Sequence, residues 1–148
     1  MRPQWHLGFA AAGTLPYYLM TGSLSRTALF AAAAVAVDVD HVLDYVLWNE
    51  RPLSYAGFMR KGALLRGRRM MFFLHGYEWL ILAYAFSWWF GIPALPDIAN
   101  GVLLHLAVDE VGNRLPSSRT RIHAPFYFFS YRLYKRFRID KMCIVNKP

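Results

Sequence analysis

The sequence predicts an all-α integral membrane bundle of about four transmembrane helices with a C-terminal interfacial amphipathic helix, and three observations lead there. Hydrophobic residues make up 56% of the 148, above the apolar share usual in soluble domains. Four apolar stretches, residues 5–22, 27–48, 70–90 and 95–112, each approach the length an α-helix needs to cross hydrocarbon. The basic residues are distributed unevenly around them. With four crossings the N-terminus, the 50–69 loop and the tail share one side, and Arg26 is the one residue of the 17 Lys and Arg that falls on the other. The positive-inside rule makes the crowded side cytoplasmic, with both termini there.

Taken in order, the first stretch carries Gly13 and Pro16, so a kinked or tilted helix is expected. A tight connection at Leu24-Ser25 leads to the second, and a polar loop from Glu50 to Arg69 leads to the third. The third ends at Gly91-Ile92-Pro93, and the fourth starts behind Pro93 and Pro96. Residues 1–112 thus read as a membrane domain and 113–148 as a basic, aromatic tail. Within the tail, PFYFFSYRLYKRFRI (residues 125–139) reads as a helix lying on anionic lipid headgroups. Aromatic and basic residues also interleave in single-stranded nucleic-acid binders, but no accompanying motif points to nucleic acid as a partner. The single cysteine, Cys143, excludes an internal disulfide framework. The N-terminus is read as retained rather than as a cleaved signal, because His6 matches the polar residues found in every later apolar stretch.

Ionisable residues inside apolar helices are costly and ask for a partner or a function. Here they come in sets: Asp38, Asp40, His41 and Asp44 in VAVDVDHVLDYVLW, His75 and Glu78 in FFLHGYEWL, and His105, Asp109 and Glu110 in GVLLHLAVDEVGN, with His6 in the first stretch. Residues three or four apart share a helix face, so Asp38 with His41, His75 with Glu78, and His105 with Asp109 each present an imidazole beside a carboxylate. Helical bundles build metal sites from such facing pairs. The topology also sets all four groups at similar depth. The candidate metal ligands in this pattern are His6, Asp38, Asp40, His41, His75, Glu78, His105 and Asp109; Asp40 points away from Asp38 on a helix and could instead be a partner behind a histidine or a salt-bridge residue. Imidazole and carboxylate donors without a thiolate favour zinc, with manganese or iron as alternatives, and the set is large enough for one, two or more ions. Glu78 or Asp40, if not a ligand, is the candidate catalytic base, and Asp44 is a further candidate partner. Arg66, Arg68, Arg69 and Arg114 flank the expected mouth and could bind substrate phosphate oxygens as well as set topology.

These motifs resemble a known group. WHLGFAAAG around His6, DVDH at 38–41, LHGYE at 74–78 and HLAVD at 105–109 are similar to the bacterial inner-membrane metal-dependent hydrolases. That family is in turn similar in its motifs to zinc-dependent phospholipase C, an all-helical phosphodiesterase with a multi-zinc site. The resemblance covers most of residues 6–109. It implies His6, Asp38, His41, His75, His105 and Asp109 as ligands, with Asp40 joining them. Residues and resemblance together lead to the expectation of a multi-pass protein of the inner (cytoplasmic) membrane that uses metal-activated water to cleave a phosphate ester of a lipid or isoprenoid, with membrane lipid as solvent and candidate substrate. Two other function classes fit the same residues: a di-iron lipid oxidase or desaturase, and a non-enzymatic metal or proton transporter.

Overall fold

The computed structural model describes residues 3–48, 58, 69–114, 120–122 and 124–145. Among the described residues the regular structure is helical apart from one short ribbon and an isolated β-bridge. Helices α1 (Pro3–Thr21), α2 (Leu24–Ala36), α3 (Val39–Trp48), α4 (Tyr77–Phe90) and α5 (Ala94–Arg114) precede strand β1 (Thr120–Ile122), a 3-10 turn (Ala124–Tyr127), α6 (Phe129–Tyr134), α7 (Ile139–Met142) and strand β2 (Cys143–Val145). The strands pair antiparallel, with Arg121 opposite Ile144.

Side-chain contacts fix the helix directions. His6 stacks on His105 and Tyr17 donates to Asp97, so α1 runs antiparallel to α5. Arg26 meets Asp97 and Ala34 meets His105, so α2 runs parallel to α5. Tyr77 meets Glu110 and Tyr84 meets Asn100, which sets α4 antiparallel to α5. The closest packing is between α2 and α5. The alanine run of α2 supplies small side chains, and Gly101 of α5 lies directly against the Phe30 carbonyl and the Ala34 backbone. At one end of the bundle Asp97 is buried and accepts hydrogen bonds from Tyr17 (2.5 Å) and from Arg26 Nη2 (2.9 Å), tying three helices together. The histidines lie at the other end.

The structure corrects the membrane reading. Among the described residues no helix is long and apolar enough to cross a membrane, which removes the transmembrane bundle and the multi-pass inner-membrane placement with cytoplasmic termini. The physical reasons are local. The second apolar stretch breaks between Ala36 and Val39, leaving helices of 13 and 10 residues. In the third, residues 70–76 are not helical, so α4 has only 14 residues. The fourth reaches 21 residues but includes Asp97, His105, Asp109, Glu110 and Arg114. The compositional excess of apolar residues is nonetheless found on outward faces, with Leu19, Met20, Trp88 and Trp89 all highly exposed.

The expected interfacial helix is also replaced. The tail folds back as short elements, and Phe126, Tyr127, Ile139, Met142 and Cys143 join Met70, Phe72, Leu80, Ala99 and Leu106 in one core. Arg132, expected to face anionic lipid headgroups, is completely buried.

Candidate metal centre

The interruptions that shorten the helices also deliver the polar side chains. Asp38 sits in the turn between α2 and α3, and His41 in the first turn of α3. His75 ends an irregular turn just before α4, while His105 and Asp109 are one turn apart on α5. With His6 from α1 they form two three-residue groups, His6–His105–Asp109 and Asp38–His41–His75, each with its donor atoms within 4.8 Å of one another. These His and Asp groups could hold a metal ion. Each supplies two imidazoles and one carboxylate, and the first group is fully buried.

The groups adjoin. His105 Nε2 lies 3.2 Å from His75 Nε2 and 3.6 Å from Asp38 Oδ1. Asp109 directs Oδ1 to His6 Nε2 at 3.3 Å and Oδ2 to His75 Nε2 at 3.8 Å, so one carboxylate faces both groups.

The hydrogen bonds on the far side of each ring assign the tautomers. His105 Nδ1 is 2.8 Å from the Ala34 carbonyl, an acceptor only, so Nδ1 carries the proton. His75 Nδ1 is 3.1 Å from Asp40 Oδ2 and donates to that carboxylate. Both Nε2 atoms are thereby left with lone pairs directed at one another across 3.2 Å. Two facing lone pairs repel, and a shared proton or cation is what relieves them. Nδ1 of His6 and Nδ1 of His41 are buried without a hydrogen-bond partner among the described residues.

Charge states suit ligation, which needs neutral imidazole and ionised carboxylate. Burial pushes the His75 imidazole down to about 4, more than its contact with Asp40 raises it. His105 is lowered for the same reason, against the opposing pull of Asp109 and Asp38. Burial disfavours an ionised Asp38, but His41, His105 and His6 outweigh it and hold its carboxyl below the usual range. Asp109 is held low in the same way, with His6 and His75 overcoming its burial.

Asp40 and Asp44 stand one layer out. Asp40 accepts from His75 Nδ1 and from the Leu74 amide, so it orients the imidazole, the carboxylate–histidine arrangement common around metals. Asp44 accepts from the amides of Met71 (2.6 Å) and Phe72 (3.1 Å), and burial raises its carboxyl. Together they hold the His75 turn, in which Phe72 adopts φ 45, a left-handed conformation costly for a bulky residue.

Other sequence-predicted residues are placed elsewhere. Glu78 belongs to neither group. It accepts from the amides of Phe129 (2.9 Å) and Ser130 (2.8 Å) and from the Ser130 hydroxyl (2.7 Å). The guanidinium of Arg69 lies over Trp48, and Arg114 pairs with Glu110. Arg66 and Arg68 lie outside the described residues. Arg132 was missed by sequence reasoning. The aromatic residues around it in sequence suit a lipid-facing helix as well as a core, so no signal in the sequence separated the two.

No family model, curated protein or solved structure matches the chain. The site must therefore be interpreted from its own chemistry.

Proposed function

We propose that the chain is a metal-dependent hydrolase that uses two divalent ions, zinc favoured, to cleave a phosphate ester carrying an apolar group. One observation carries the reading: two neutral imidazoles, His75 from the turn before α4 and His105 from α5, direct their Nε2 lone pairs at one another, with Asp109 facing both groups. Two apposed sets, each of two histidines and one carboxylate, suit paired zinc ions, which activate water and stabilise the attacking and leaving oxygens of a phosphate ester. The chain's own part is to preorganise. Asp40 fixes the His75 ring, the Ala34 carbonyl fixes His105, and the ionised Asp38 and Asp109 balance cationic charge in a buried setting. The apolar group of the substrate is inferred from the exposed apolar side chains next to His6, Leu7 and Phe9, because the recess between His6 and His105 has room for little more than a water. The resemblance of the DVDH and HLAVD motifs to metal-dependent hydrolases points the same way.

A second reading has specific support, because two histidines and one carboxylate are also the ligand set of ferrous oxygen-activating sites. Elemental analysis of purified protein separates the possibilities, with wild type compared against His105→Ala and Asp38→Ala. The hydrolase reading expects about two zinc ions per chain in wild type, loss of metal in both variants, and release of phosphate or alcohol from alkyl phosphate mono- or diesters. Iron retained with oxygen consumption would select the oxidase, and a metal-free wild type that also fails to take up added zinc would sink both.

A further inference from the structure

Arg132 is a cation buried away from water in a part of the molecule where no carboxylate lies within ion-pair distance of it among the described residues. Such a charge is costly to bury. Burial lowers it to about 10, while Glu78, Asp40 and Asp44 favour the charged form from further off. Its hydrogen bonds go instead to backbone carbonyls: Nη1 donates to His75 (2.8 Å) and Phe126 (2.6 Å), and Nη2 to Phe72 (2.9 Å). Two of these three acceptors bracket the turn that delivers His75 to the metal centre. The guanidinium is packed between the rings of Phe126 and Phe129.

The remaining contacts of the tail reinforce the same turn. The Met70 amide donates to the Phe137 carbonyl at 2.8 Å, and the backbones of Arg69 and Arg138 form an isolated antiparallel β-bridge. Glu78 at the start of α4, three residues beyond His75, binds the first amides of α6 and so holds Arg132 in place. The His75 turn is therefore gripped from both sides, by Asp40 and Asp44 of α3 on one and by the tail on the other.

We infer that Arg132 is a positioning residue for the metal centre, seating His75, so that docking of residues 124–145 and occupancy of the Asp38–His41–His75 group are coupled. The inference rests on the metal reading above and goes beyond it in making one half of the centre depend on the tail. The other half, His6–His105–Asp109, comes from α1 and α5, and none of the three carbonyls that Arg132 binds belongs to it.

The test is cobalt(II) titration of the full chain, followed by visible absorption and equilibrium metal content. His41→Ala and His6→Ala serve as references for the two half-sites. Arg132→Gln and Glu78→Gln are expected to weaken the ion lost in His41→Ala by ten-fold or more, the range typical of lost outer-layer support, and to leave the ion lost in His6→Ala nearly unchanged. Reciprocally, cobalt should slow hydrogen exchange at the Phe129 and Ser130 amides in wild type. If Arg132→Gln loses its far-UV helix signal, Glu78→Gln and Ser130→Ala decide the matter, Ser130→Ala showing the smaller effect in the same half-site. Equal weakening of both ions, or neither ion weakened in Glu78→Gln, would overturn the inference and leave the metal reading intact. A wild type without cobalt binding would overturn both.

Discussion

Gly101→Ala tests the packing on which the site stands. A Cβ at this position would approach the Phe30 carbonyl oxygen far closer than the 3.0 Å that real contacts respect, and would lie 3.0 Å from both Ala33 Cβ and the Ala34 amide nitrogen. All three belong to one side of α2, and all are backbone or Cβ atoms that cannot rotate aside, so α2 and α5 must part by close to an ångström. Overpacking of this kind costs about 1–3 kcal/mol, and a backbone clash belongs at the upper end. Replacing glycine inside a helix returns up to about 1 kcal/mol, leaving a net loss of about 2 kcal/mol. For a chain of this size that lowers the melting temperature by about 6 °C. Gly8→Ala is the internal control, since a Cβ there meets nothing within 4 Å and carries only the helix-propensity gain. Because Ala34 also accepts the His105 Nδ1 hydrogen bond, Gly101→Ala should weaken metal binding as well, whereas Gly8→Ala should not. Thermal denaturation followed by circular dichroism, with zinc titration of both variants, reads both effects. A Gly101→Ala protein as stable as Gly8→Ala would refute the close α2–α5 contact.

Three further outcomes are expected. Asp97→Asn, remote from the histidines, should lower the melting temperature at pH 7 and flatten the acid side of the stability curve. Arg26, and then Tyr17, hold the Asp97 carboxyl below its ordinary value against its burial, so the folded state binds fewer protons; the stabilisation is complete above the unfolded value of about 3.9 and is lost as pH falls through the lower folded value. Urea midpoints measured from pH 7 down to pH 3 in wild type and variant check this, and parallel curves would contradict it. Chelation should lower the wild-type melting temperature: zinc at a hundred times its dissociation constant stabilises by about 2.7 kcal/mol, so the shift disappears in a His6→Ala, His41→Ala double variant. Asp40→Asn should reduce zinc affinity about 10–100-fold without removing a ligand, because the His75 ring loses the carboxylate that fixes its tautomer; isothermal calorimetry would show unchanged affinity if Asp40 had no such role.

The sequence by itself determined the helical class and the grouping of the chemistry. Spacing alone pairs His105 with Asp109 and Asp38 with His41, and the absence of any thiolate among them limits the metals they suit. Sequence could not determine the course of the backbone between these residues. A run such as FFLHGYEWL has the same hydropathy whether it is helical throughout or opens into a turn before Tyr77, and only the competing hydrogen bonds of Asp40, Asp44 and Arg132 favour the turn. The same break separates His75 from Glu78, which helical spacing had placed on one face, and sends Glu78 to the start of α6. Apolar length therefore overstated helix length, and the membrane-spanning reading went with it. The tertiary structure alone decided that the two His and Asp groups meet through His75, His105 and Asp109, because contacts between residues 30 or more positions apart depend on how α1, α3, α5 and the turn before α4 converge. It decided too that Arg132 lies inside the fold: a guanidinium amid aromatic residues has the same sequence signature on a surface as in a core, and only the carbonyls of Phe72, His75 and Phe126 make its burial possible.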